Sequence, residues 1–413
     1  MPDAVIRWNN VLLRVIQDVG GSPCPIARGG AMMHGAIYDA VNSIMPTHRP
    51  YLVQVPVNSS ALIDAAIAYA AHDTLVAAFP NTNEDLDQAL QDEVELLPSG
   101  PARDAGKAIG QATAAVMIAA RTGDGSEDNT PYLNGTAPGQ WRPTGSGDAA
   151  SPNWPQVTPF CITSGSQFRP PRPGGFPSRA QMLQSEEYAA QVNEVKTLGK
   201  SDATMTGDRT QEQEDIAFFW ANDVDGTYKP PGHLFRITQI VSDLRGLDVV
   251  ENARLFALVG LVMGDAAIVA WDAKYSTDLD LWRPETAIQL AGTDGNDDTD
   301  ADPAWEPLSI DKNGNRFSPP FPAYISGHAT FGAAHSAIMR AYFGTDNVTF
   351  TADTDDPSAM GAMRTYNSFT AAALENARSR IYLGVHFQWD GDHGFLSGTA
   401  LGDFVFANCL QPL

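Results

Sequence analysis

GGAMMHGAIYDAVNSI, residues 29–44, decides the fold class. Met32, Met33, Ala36, Ile37, Ala40, Val41 and Ile44 recur at i, i+3, i+4 spacing. On a helix they form one apolar stripe; on a strand they would scatter to both faces. The same spacing runs outward in both directions. Val5, Ile6, Trp8, Val11, Leu12, Val15 and Ile16 predict a helix over residues 4–19. Downstream, helices are predicted over 59–79, with Ser59 and Ser60 as the N-cap and Pro80 at its end, over 84–97 and over 102–121. The pattern resumes at 179–198, 210–222, 232–244, 249–273, 327–343, 358–383 and 390–408. Strand-like alternation is almost absent, so the class is all-α.

Between residues 121 and 177 the periodicity fails. Ten of the 29 prolines fall there, among Gly, Ser and Asn, and no helix survives that density. Trp141, Trp154, Phe160 and Phe168 make it too aromatic for a free linker, so it reads as an ordered belt around the helical body. Three regions follow: a helical one over 1–122, the belt over 123–178 and a second, catalytic helical bundle over 179–413, joined as one unit.

Lys and Arg number 26 against 49 Asp and Glu, a formal charge of −23. Such a surface repels phosphates and argues against nucleic acid and anionic membranes as partners. No apolar run is expected to reach the roughly 20 residues that a membrane span needs, and residues 1–10 lack the pattern of a signal peptide. The expected protein is soluble: cytoplasmic, or periplasmic or secreted in a form whose leader has been removed. Cys24, Cys161 and Cys409 are odd in number and far apart, which implies no disulfide framework.

Three segments place polar groups where a helical core should exclude them. They are Trp271-Asp272-Ala273-Lys274 with Leu281-Trp282-Arg283-Pro284; Phe321-Pro322-Ala323-Tyr324-Ile325-Ser326-Gly327-His328; and Arg378-Ser379-Arg380 with His386 and Asp390. Singly each has a plain explanation: a lysine at a helix end, a Ser-Gly cap, a surface pair four residues apart. Together they are a kit for a tetrahedral oxyanion. A helix opening with Ser-Gly offers free N–H groups, one lysine and two arginines can neutralise a trianion, and two histidines supply a ligand and a proton shuttle. Asp390, one turn beyond His386, can fix the tautomer of that ring.

In this order the segments resemble the Lys…Arg-Pro, Pro-Ser-Gly-His and Ser-Arg…His…Asp signature of the vanadium-dependent haloperoxidases, which belong with the type 2 phosphatidic acid phosphatases. The start of the chain, the belt and the Phe219-Trp220…Pro230-Pro231-Gly232-His233 stretch resemble bacterial members. The resemblance implies two four-helix-bundle-like halves and a vanadate cofactor, a site phosphate could also occupy. It implies hydrogen peroxide and a halide as substrates, an unknown organic halogen acceptor, and a dimeric state found among relatives. Carried over, His386 would ligate vanadium. Lys274, Arg283, Arg380, Ser326 and Gly327 would bond its oxygens, and His328 would act as acid and base. Asp223 would support Arg380, with Asp215 and Asp225 as competitors; Trp271 and Phe321 would line the halide pocket. Bromide is the favoured halide, then chloride or iodide. The alternatives are a soluble acid phosphatase working through phosphohistidine and a non-catalytic helical scaffold.

Two departures stand out. Lys274 and Arg283 are two residues farther apart than the family pattern, which calls for a bulge before Trp282; a continuing helix would put Ser276 at the lysine position. Ile325 replaces the proline before Ser-Gly-His. Trp141-Arg142-Pro143 repeats the Trp-Arg-Pro string with no lysine before it and reads as a decoy. His335 and His393 read as structural, a metal site from His386, Asp390 and His393 is disfavoured, and residues 295–300 read as a solvated insertion rather than a calcium loop.

Overall fold

Asp248 starts the longest helix, Val249–Tyr275. Its carboxylate accepts from the N–H groups of Val250 and Glu251, and the Glu251 side chain returns to the Asp248 N–H, all at 2.9 Å. From Leu255 to Lys274 every residue of that helix is buried. A helix apolar all round belongs inside a body of other helices. The expectation that no apolar run reaches spanning length is therefore corrected. This helix is long and apolar enough, at a mean hydropathy of 1.9, but 94% of that window is buried inside the fold.

The computed structural model describes residues 2–56, 60–145, 147–203 and 208–413. Within them the α-helices run Ala4–Val19 (α1), Pro23–Ile44 (α2), Ile63–Ala78 (α3), Asn83–Glu95 (α4), Pro101–Arg121 (α5), Arg179–Leu183 (α6), Glu186–Leu198 (α7), Gln211–Phe219 (α8), Lys229–Arg245 (α9), Val249–Tyr275 (α10), Pro284–Gln289 (α11), Gly327–Phe343 (α12), Phe369–Tyr382 (α13) and Gln388–Asn408 (α14). One side of α10 packs on α2, which packs on α3 and α5; the other side meets α12 and α14, with α13 beyond. One apolar core runs through all of these, from Ala4 to Leu410.

Several predicted elements differ, among them the helix read from residue 29, which begins at Pro23 behind Ser22 as its N-cap. The helix predicted from residue 59 begins at Ile63 after an uncapped Leu62; Ser59 lies outside the described residues. The helix predicted over 179–198 breaks at Ser185, whose hydroxyl caps α7 at the Tyr188 N–H. The one predicted over 358–383 begins only at Phe369. Before it lies an antiparallel hairpin, Phe350–Asp353 (β1) against Met363–Tyr366 (β2). The 295–300 insertion is docked rather than merely solvated, since Asn296 Nδ2 donates to the carbonyls of Leu183 and Ser185.

Close approach of α14 to α12 sets the site. A Cβ on Gly398 would meet the Thr330 carbonyl oxygen at 2.3 Å, and one on Gly394 the Ser326 carbonyl at 2.9 Å. Only glycine allows this spacing. Gly398→Ala is expected to cost about 1–3 kcal/mol by forcing the helices apart, readable as a lowered urea midpoint.

Candidate functional site: a buried cationic cradle

The belt and the α10–α11 connection hold each other. Trp282 N–H donates to the Gly139 carbonyl at 2.9 Å and Trp141 N–H to the Asp280 carbonyl at 2.8 Å. The string read as a decoy thus buttresses the true Trp-Arg-Pro. α10 ends at Tyr275 with Ser276 as its cap, and Asp280 turns the chain at φ +40°. The helix does not continue, so Lys274 stays on it, fully buried and aimed inward.

Lys274 Nζ donates to the carbonyls of Pro322 (2.7 Å) and Ala323 (3.1 Å) and lies 4.9 Å from the centre of the Phe321 ring. An ammonium has three donors, so one is left. Burial, then the charge of Arg283, pushes its pKa well below the usual lysine range. Arg283 donates from Nε to the Phe321 carbonyl and from Nη1 to the Val385 carbonyl, both at 2.7 Å. Burial brings its pKa down to about 9.

Arg380, on α13, donates Nη2 to Asp223 Oδ2 at 2.5 Å. Burial raises the Asp223 carboxyl, but Arg380, with His328 and Lys229, outweighs it and holds the pKa below the usual range. The two competitors for this role go elsewhere: Asp215 accepts from Gln211 and Asp225 pairs with Lys229. Arg283 Nη2, Arg380 Nε and Arg380 Nη1 are buried and have no partner among the described residues.

His386 follows α13 and faces this group. Arg283 Nη1 lies 3.1 Å from its Nε2, and Asp390 Oδ2 lies 3.0 Å from its Nδ1. A guanidinium can only donate, so Nε2 holds a lone pair and Nδ1–H points at Asp390. Burial and then the Arg283 charge keep the ring neutral, with a pKa well below the ordinary value. Burial pushes the Asp390 carboxyl up, while the Phe387 N–H and the Lys274 and Arg283 charges oppose it. Asp390→Asn is expected to cost 10–100-fold in oxyanion affinity, the usual price of losing an outer-shell partner, measured by calorimetric titration with orthovanadate.

α12 points its N-terminus here. Ser326 caps it, its hydroxyl accepting from the Ala329 N–H at 3.3 Å, and its own N–H donates to the Asp390 carbonyl at 3.0 Å. Gly327 opens the first turn, where N–H groups have no helical acceptor. His328 Nε2 lies 3.0 Å from the Ala221 carbonyl, which only accepts, so Nδ1 is the basic nitrogen. Burial and then Arg380 pull its pKa down to about 3.

A cavity of about 280 Å³ opens onto His328, Arg380, His386 and Gly327. Trp271 and Phe321 form one wall with ring centres 4.8 Å apart. Sequence reasoning missed Phe317, Phe331 and Lys229, which also line it. The first two carried no signal beyond an apolar side chain; Lys229 directly precedes the Pro230-Pro231 motif. His335 bonds Thr238 and His393 bonds Tyr324, both away from the cradle. Among the described residues no three His, Cys, Asp or Glu side chains gather as a metal-ligand set.

Comparisons with known proteins bear on the fold and the family. Residues 254–412 match the family described as the VCPO second helical-bundle domain. The chain is 28% identical to the vanadium chloroperoxidase of Curvularia inaequalis, over 94% of this chain and 78% of that protein. A bacterial vanadium-dependent iodoperoxidase superposes with a TM-score of 0.83 at 25% identity, over 99% of this chain and 96% of that one. A bacterial vanadium-dependent chloroperoxidase shares the fold, with a TM-score of 0.73 at 18% identity, over 95% and 93%. The family model, the curated relative and the solved structures together support an enzyme of the vanadium haloperoxidase family.

Proposed function

We propose that this enzyme binds vanadate in the cradle and oxidises a halide, bromide foremost, with hydrogen peroxide to hypohalous acid. The observation that carries the reading is the set of partnerless nitrogens on Arg283 and Arg380 beside the His386 lone pair. A buried donor without an acceptor costs about 1–3 kcal/mol, more when charged. Such donors, on two guanidinium groups whose charges both act on the His386 ring, fit a tetrahedral polyanion.

In this reading His386 Nε2 would hold the vanadium, and the Arg283 donor now facing that nitrogen would serve an oxygen instead. Arg283, Arg380 and the third N–H of Lys274 offset the negative charge, with the Ser326 hydroxyl and Gly327 N–H as further donors. When bound, vanadate supplies a Lewis acid that polarises peroxide without changing oxidation state. His328 Nδ1, neutral before binding, takes the proton of the incoming peroxide and returns it to the product. Asp223 orients Arg380. The Trp271 and Phe321 rings strip water from a halide beside the site, which raises its reactivity.

The test gives vanadate-loaded protein peroxide with bromide, chloride or iodide and a halogen acceptor, and gives the vanadate-free protein an aryl phosphate. Halogenation that needs vanadate supports the proposal. Phosphate has the same shape, and phosphatase turnover without halogenation would show instead a hydrolase working through His386.

A further inference from the structure

Cys161 and Cys409, 248 positions apart in the sequence, are brought together by the fold. Both side chains neighbour the Tyr51 hydroxyl, which donates to the Phe160 carbonyl at 2.9 Å, and Arg49 N–H, two residues before it, donates to the Gln411 carbonyl at 2.7 Å, so the two segments meet at residues 49–51. Each is unpaired and half-buried, while Cys24 is buried and apart from them. Both backbones are anchored. Asp265, within α10, accepts from the N–H groups of Phe160, Cys161 and Ile162 at 2.7, 2.8 and 3.1 Å. Cys409 closes α14 by donating its N–H to Val405, and its carbonyl accepts from Gln411 Nε2. Neither thiol contributes to the cradle or to its cavity.

We propose that Cys161 and Cys409 are an oxidation site that closes to a disulfide, stapling the belt to the last helix. The inference rests on the proposed halide oxidation for its oxidant. Hypohalous acid transfers its halogen to one sulfur: an S–X bond forms, the O–X bond breaks, and water leaves with the thiol proton. The second thiol then displaces halide, forming the S–S bond and releasing the remaining proton. The halogen gains two electrons and each sulfur gives up one. Peroxide alone is a slower oxidant here, because it needs a thiolate and both burial and the neighbouring thiol push the Cys161 pKa up. A cross-link over so long a loop restricts the unfolded chain, so the closed form should melt higher.

The experiment treats reduced protein with one equivalent of hypobromite. In a second arm, vanadate-loaded protein turns over peroxide and bromide. Both are followed by non-reducing peptide mapping and a melt. The expected result in both arms is a mass loss of two hydrogens, one peptide pair joined through Cys161 and Cys409, and a melting temperature raised by several degrees and restored by dithiothreitol. Cys409→Ser should remove link and shift together. Sulfinic or sulfonic acids without the linked pair under hypobromite, or a link to Cys24, overturn the proposal. A link formed by added hypobromite but not in turnover supports the pair and counts against the halide-oxidation reading.

Discussion

His386→Ala is expected to lower kcat/KM for halide oxidation at least about a thousandfold, about 4 kcal/mol. The reason is local. The ring is neutral, held by Asp390 at Nδ1 and presenting its lone pair at Nε2 among three cationic side chains. His328, the other histidine on the cavity, commits its Nε2 to the Ala221 carbonyl and keeps Nδ1 for proton transfer. The remaining arginines would still attract an oxyanion, so weakened vanadate binding with abolished turnover is the expected split. Steady-state halogenation and calorimetric titration on the same variant read it out. Halogenation retained within tenfold would remove His386 from the chemistry.

The second large effect is on stability. Asp223→Ala leaves Arg380 buried without the charged partner it has among the described residues, and breaking a buried pair this way costs about 3–5 kcal/mol. Urea unfolding should show the loss. An oxyanion that binds only the folded state restores about 2.7 kcal/mol at a hundred times its dissociation constant. Orthovanadate should therefore recover much of the variant's melting temperature, and sodium chloride at equal ionic strength should not. A variant as stable as its parent would mean that Arg380 does not depend on Asp223.

How much of this could be read from the sequence varies by element. α12 falls on its predicted bounds, Gly327–Phe343, because a Ser cap and Gly344 at φ +66° mark both ends. α1 does so for the same kind of reason, with Asp3 as cap and Gly20 beyond. The hairpin before α13 escaped because its strands are four residues each, too short for alternation to register, and Gly361 at φ +80° makes the turn. The cradle's members were legible from residue types in order. Their relation was not: the Ser276–Arg283 connection is held by belt residues more than a hundred positions away, and which guanidinium nitrogens lack partners depends on every neighbouring carbonyl.

Diffraction at the vanadium absorption edge from crystals soaked in orthovanadate locates the oxyanion that the cradle holds. One anomalous peak is expected, bonded to His386 Nε2, with oxygens within hydrogen-bond reach of Arg283 Nη2 and of Arg380 Nε and Nη1. A saturating soak that leaves this position empty, or that places vanadium away from His386, would contradict it.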